Sequence, residues 1–257
     1  MTVSIGTARY DSAPAGIRKI PLLQPFVWLW RGARDTLHCA PVNLGHGLLM
    51  AALGWVLLLM LGNHPYFVVA AVSGFLLAAP VMTAGLVELS RRRAARESLG
   101  FDASLSSLAA NRDALLRFGA VLALLTLGWF AASEVMLRAV FQLGAPGVAE
   151  TYYTGFLDAA HRPMVLAYVL AGGLLALVVL AISLVTVPLM IDRHAGAGEA
   201  MRASLRALGA NPLPLALWAA LIVVVTAAGF ATLLAGMVVL IPLLGHATWH
   251  AYRDLVG

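Results

Sequence analysis

The chain has 257 residues, 61% of them hydrophobic and 11% charged, with a mean hydropathy of +0.88 and a net charge of +5. Soluble domains carry about 25% charged residues, so this composition excludes an ordinary water-soluble globule and points to a helical membrane protein. The single cysteine, Cys39, excludes an intrachain disulfide and any cysteine-based metal motif.

The first twenty residues contain no continuous apolar run of the kind a secretory signal needs, so the first hydrophobic helix is expected to act as an uncleaved insertion signal. Residues 1–41 read as a cytoplasmic tail ending in an amphipathic segment. Phe26, Leu29, Trp30, Ala33 and Leu37 share one face of it, and Arg31, Arg34, Asp35 and His38 the other. Tryptophan favours the headgroup level and arginine meets anionic lipid, so this segment reads as a membrane-surface anchor. A docking helix for another subunit is the alternative.

Residues 42–257 read as the transmembrane domain. Six apolar segments follow, at about 42–62, 65–88, 115–142, 164–191, 212–232 and 235–252. The uncharged run from Leu213 to Gly245 would make one helix of about 50 Å, against a hydrocarbon core of about 30 Å. A hairpin turn near Leu233 to Gly236 divides it into two. With the N-terminus in the cytoplasm, every lysine and arginine except Arg138 and Arg162 falls on the cytoplasmic side, as the positive-inside rule requires. The pI near 9.9 is thus explained by orientation rather than by nucleic-acid binding. The fold class is an all-α polytopic membrane protein with six transmembrane helices and both termini inside.

An internal repeat links the two basic cytoplasmic loops. Ala103-Ser-Leu-Ser-Ser-Leu-Ala-Ala-Asn111 recurs as Ala203-Ser-Leu-Arg-Ala-Leu-Gly-Ala-Asn211, with six of nine positions identical. The unit is a helix, a loop and a helix, at about 80–131 and 188–231. Two spans separate the copies, so the repeat is parallel, unlike the inverted repeats of many transporters. Each loop carries an apolar stripe at helical spacing, Phe101, Leu105 and Leu108 in one and Met201, Leu205 and Leu208 in the other, which predicts a short interfacial helix. Asn111 and Asn211 are placed as N-caps of the helices that follow, with Pro212 at the first helical position of the second.

No ionisable residue falls near the middle of any predicted span, which argues against ion-coupled transport. Glu134 and Arg138 read as an ion pair within one helix. Chemistry is confined to the cytoplasmic rim. His246 and His250 lie one turn apart and could share a Zn or Cu ion, with His46 as a third ligand from across the bundle. Two histidines so placed cannot be the two axial ligands of one haem. The alternative is that His246, Trp249, His250 and Tyr252 form an interfacial belt. Glu88, Asp192 and His194 close their helices on the same rim, and Arg253 with Asp254 read as surface charge. Phosphate-binding loops, a nucleophile elbow and His-Glu-x-x-His are absent from the sequence.

The closing Gly245-His-Ala-Thr-Trp-His-Ala-Tyr-Arg-Asp254 resembles a bacterial integral membrane family, the domain of unknown function 2189. So do Trp28 to Asp35, Ser73 to Pro80 with Gly85-Leu86 and Glu88 to Arg91, Pro188 to Arg193, and Ala210-Asn211-Pro212. The resemblance implies a six-helix inner-membrane protein without an established activity. Some members carry respiratory oxidase labels, but this chain lacks the midmembrane histidines that such a catalytic subunit needs.

Three functions follow as expectations: a non-enzymatic component of a membrane complex whose partners are the bilayer and other subunits, a metal- or haem-handling accessory, and a channel for a neutral solute. The topology is checked by reporter fusions. Tags at Gly100 and Gly198 should read cytoplasmic, and tags at Asn63 and Val148 should read outside. Either cytoplasmic tag reading outside would remove the parallel repeat.

Overall fold

The computed structural model describes residues 16–38, 40–61, 79–141 and 162–256. Ten helices order these residues: α1 Gln24–His38, α2 Ala40–Leu61, α3 Ala84–Ala95, α4 Phe101–Ala110, α5 Arg112–Phe141, α6 Arg162–Ser183, α7 Thr186–Arg193, α8 Ala197–Ala210, α9 Pro212–Ala231 and α10 Met237–Leu255. A short helical stretch at 79–82 precedes α3. The outer part of the expected second span, the outer loop and the Arg138 side chain lie outside the described residues.

Among the described residues, four helices are long and apolar enough to cross a membrane: Ala40–Met60, Arg112–Met136, Arg162–Arg193 and Pro212–Ala231. Each falls on an expected span. The sixth expected span corresponds to α10, whose last three turns carry His246, His250, Arg253 and Asp254 and lower its hydropathy. The hairpin between α9 and α10 lies where the length argument put it. Leu233 and Leu234 take left-handed backbone angles (φ 52° and 68°), and Thr232 Oγ1 accepts from the Gly236 N–H at 2.7 Å to close the turn.

The fourth span is not continuous. Leu184 and Val185 form a turn between α6 and α7. Pro188 explains this, because it offers no N–H to the Leu184 carbonyl and its ring would clash with that oxygen in an unbroken helix. The expected loop helices are α4 and α8, but their inward faces are the small and polar ones. Ser104, Ala200, Ala203, Ser204 and Ala207 are buried, whereas Phe101, Leu105 and Leu205 face outward. Burial coincides at an offset of one hundred residues. Leu115 and Leu215, Phe118 and Trp218, and Trp129 and Gly229 are buried in pairs, and Leu124 and Val224 are both exposed. The helices preceding both loops, α3 and α7, end on left-handed residues, Arg96 and His194.

The core gathers where α1, α3, α7, α8, α9 and α10 meet, around Trp28, Met190, Trp218, Trp249 and Tyr252. Trp28 and Trp218 meet edge to face with centroids 5.6 Å apart. α10 is its axis. Glycines set the distance at which the first two helices approach it. A methyl group on Gly32 would stand 2.7 Å from the Leu243 carbonyl oxygen, and one on Gly47 would overlap the Val238 carbonyl. Val238 is four residues before Pro242, so its carbonyl lacks the N–H that would ordinarily serve it in the helix. The Gly47 backbone covers that oxygen, in an arrangement suited to a Cα–H···O contact.

Gly45, on the same helix as Gly47, faces open space. Gly47→Ala is therefore expected to destabilise the purified protein by about 2–3 kcal/mol through overpacking, while Gly45→Ala is neutral or stabilises by up to about 1 kcal/mol through helix propensity. Thermal melting of the two variants in detergent checks the contrast. Equal effects would show that the Gly47 contact does not set the helix spacing.

Candidate functional site: a polar ring at the rim

The rim site is built from four helices. α1 supplies Asp35, α2 supplies Asn43 and His46, α3 supplies Ser90 and Arg93, and α10 supplies His246 and His250. Gly32 brings α1 onto α10 one turn before Asp35, so this carboxylate points inward and is buried. It accepts from Ser90 Oγ at 3.0 Å and His250 Nε2 at 3.0 Å, and it pairs with Arg93. Ser90 Oγ also lies 2.7 Å from His246 Nδ1. His246 Nε2 stands 3.0 Å from Asn43 Oδ1. The Asn43 amide group donates back to the Asp35 and Thr36 carbonyls at 3.2 and 3.0 Å. Because that group can only donate, Asn43 Oδ1 is fixed as an acceptor and His246 Nε2 carries a hydrogen. The ring closes on itself through Asp35.

His46 sits beside this ring with its own partners. Nδ1 donates to the Val42 carbonyl at 3.0 Å, and Nε2 lies 3.1 Å from Ser104 Oγ. Gly85 leaves room for the imidazole: a methyl there would stand 2.9 Å from Nε2. The three histidines singled out in the sequence are thus brought to the same rim, but each reaches a different partner. Among the described residues, no group of three or more His, Cys, Asp or Glu side chains is placed to hold a metal ion.

Further carboxylates tie the rim together. Asp254 accepts from Gln24 Nε2 at 2.6 Å and Trp28 Nε1 at 2.8 Å, and lies 3.3 Å from Arg31 Nη1. It is a docking point for α1 rather than the surface charge expected. Tyr252 donates to Asp192 at 2.6 Å. Glu88, buried, pairs with Arg91 at 2.7 Å and Arg92 at 2.6 Å. The interfacial-belt alternative is overturned, since His246, Trp249 and Tyr252 are buried inside the protein by α1, α3 and α7.

Of the two repeat asparagines, Asn211 acts differently from expectation. Asn211 stands at the start of α9 without a side-chain cap. Its Oδ1 accepts from the Ile20 N–H at 2.9 Å and its Nδ2 donates to the Arg18 carbonyl at 2.9 Å, clamping the segment before α1. Arg18 N donates to Leu255 O at 2.9 Å beside an Ile17–Val256 bridge. Asn111 Oδ1 lies 2.8 Å from His194 Nδ1. Tertiary partners thus use the Asn211 side chain that local sequence assigned to capping.

Sequence reasoning missed Asp35, Asn43, Ser90 and Arg93 as site residues. Asn43 and Ser90 carried the available signal, as lone polar side chains on the inward faces of apolar helices. Asp35 was hidden among charged neighbours.

Buried charge paired at one rim, with apolar helices beyond it, defines a polytopic helical membrane protein with a polar network at that rim. The resemblance drawn from the sequence holds: the family model described as "Predicted integral membrane protein (DUF2189)" matches residues 68–192. The matched region contains the Ser73–Arg91 motif, while the Gly245–Asp254 motif lies beyond it. No curated protein and no solved structure matches the chain.

Burial alone would raise the Asp35 carboxyl, but the His250 hydrogen bond and the charges of His250, Arg93 and His246 outweigh it and hold the group below its ordinary value. A depressed folded-state pKa contributes stability that is complete above the unfolded value, near 4, and lost as pH falls through the lowered one. The melting temperature should therefore fall on acidification below about pH 4. Asp35→Asn should flatten that acid limb and destabilise the protein at pH 7 by about 3 kcal/mol, by leaving Arg93 without its carboxylate. An unchanged acid limb in the variant would remove Asp35 as its source.

Proposed function

We propose that the protein is a non-enzymatic accessory or scaffold component of a membrane complex in the bacterial cytoplasmic membrane. In this reading it has six spans, both termini inside, and two parallel copies of a helix–loop–helix unit. The observation that carries the scaffold reading is the distribution of burial. Rim side chains pair with one another at helix contacts, while three of the four spans have only 22% of their most apolar window buried. Those apolar flanks are available to lipid or to the spans of other subunits. The duplication is supported by the coincident burial of positions one hundred apart and by the left-handed ends of α3 and α7.

A metal-handling role for His46, His246 and His250 is the second reading, favoured by the placement of His246 and His250 on one face of α10. A metal ion would have to displace Ser90, Asn43 or Asp35 from the ring nitrogens.

Purification from the native membrane in mild detergent tests both. The scaffold reading expects other membrane subunits at constant stoichiometry and a spectrum without a cofactor band. Elution without partners over a range of detergents would overturn it. The second reading expects a stoichiometric metal or haem that His246→Ala with His250→Ala abolishes without loss of membrane insertion, and a metal-free wild type would end it.

A further inference from the structure

The inward and outward faces of α1 differ in charge as well as in polarity. The carboxylates that meet the inward face are satisfied there, Asp35 by Arg93 and His250, and Asp254 by Gln24, Trp28 and Arg31. The outward face carries no carboxylate, and Arg34 shares it with Trp30 rather than lying opposite as the sequence pattern suggested. Phe26, Trp30 and Leu37 are exposed, Trp30 at 59% and Leu37 at 77%. The Arg34 guanidinium lies over the Trp30 ring, 4.8 Å from its centroid, and among the described residues it has no carboxylate partner. Arg18 and Lys19, just before the helix, are exposed as well.

Exposed apolar groups do not stop at α1. On α2, the next helix in the chain and a membrane-spanning one, Leu44, Leu48, Val56 and Leu59 are exposed too. A helix suited to acyl chains thus follows directly on the helix that carries Trp30 and Arg34. A tryptophan carrying an arginine that no described carboxylate engages is suited to the headgroup region, with the ring among glycerol and ester groups and the cation toward phosphate. Basic residues at that level gain from anionic lipid and little from zwitterionic lipid.

We propose that the outward face of α1, centred on Trp30 and Arg34, binds anionic phospholipid of the cytoplasmic leaflet in preference to zwitterionic lipid. The test uses the full-length protein in nanodiscs of phosphatidylcholine. Either brominated phosphatidylglycerol or brominated phosphatidylcholine is added at the same low mole fraction, with bromines near the headgroup end of the chains. Trp30 fluorescence is taken as the difference between wild type and Trp30→Phe.

The expected result is quenching of the Trp30 component, with about five-fold tighter apparent association for the anionic lipid at low salt. That preference should fall toward unity in 0.5 M salt and in Arg34→Gln, whose change is exposed and leaves the melting temperature unaltered. Equal quenching by both lipids would overturn the headgroup preference. No quenching by either would mean that the face is covered by protein or water, and would overturn the proposal entirely.

Discussion

The polar ring at the rim depends on how closely α10 can be approached. Two glycines, Gly32 and Gly47, let the backbones of α1 and α2 rest on α10, and any side chain at either position would hold the helices apart. The contact at Gly47 falls on the one carbonyl that Pro242 deprives of its helical partner. Proline inside a transmembrane helix is tolerated when a neighbour covers the oxygen it frees. Here the neighbour is a glycine backbone, so the irregularity of one helix becomes the docking feature of another.

With the spacing set, the polar ring follows. Asp35 could not remain buried without partners, because an isolated buried carboxylate costs several kcal/mol of desolvation. Ser90, Arg93 and His250 converge on it from two helices, and Asn43 adds a fourth element by holding both His246 and the carbonyl of Asp35 itself. Such a network adds little net stability beyond a well-packed apolar contact, but it admits few alternative registers. A slip of α1 along α10 by one turn would leave Asp35 and Asp254 both unpaired.

The fold was largely legible because it rests on local periodicity and on bilayer thickness. The four apolar spans, the turn after Thr232 and the short helices at Phe101 and Ala197 all follow from those two constraints. Pro188 also carried a readable message, but the continuous hydropathy of 164–191 concealed the break it causes. The site was legible only in part. His46, His246 and His250 could be placed on one rim from spacing alone. Their partners could not, since the choice between solvent and protein for Asp35, Trp249 or Tyr252 depends on helices far away in sequence. Asn211 illustrates the same limit: its place before Pro212 favours capping, and the long-range partners Arg18 and Ile20 take its side chain instead.

The partners of the first two helices come late in the chain. Trp28 bonds Asp254 across 226 positions, Asp35 bonds His250 across 215, and Asn43 bonds His246 across 203. During synthesis α1 and α2 therefore exist for most of translation without the helix that organises them. Asp35 must spend that interval hydrated at the interface, and Gly32 and Gly47 uncovered. Closure of the rim is then a single late event of high contact order. A chain stopped before α10 would reach the membrane with its spans in place and the packing of its first two helices unmade.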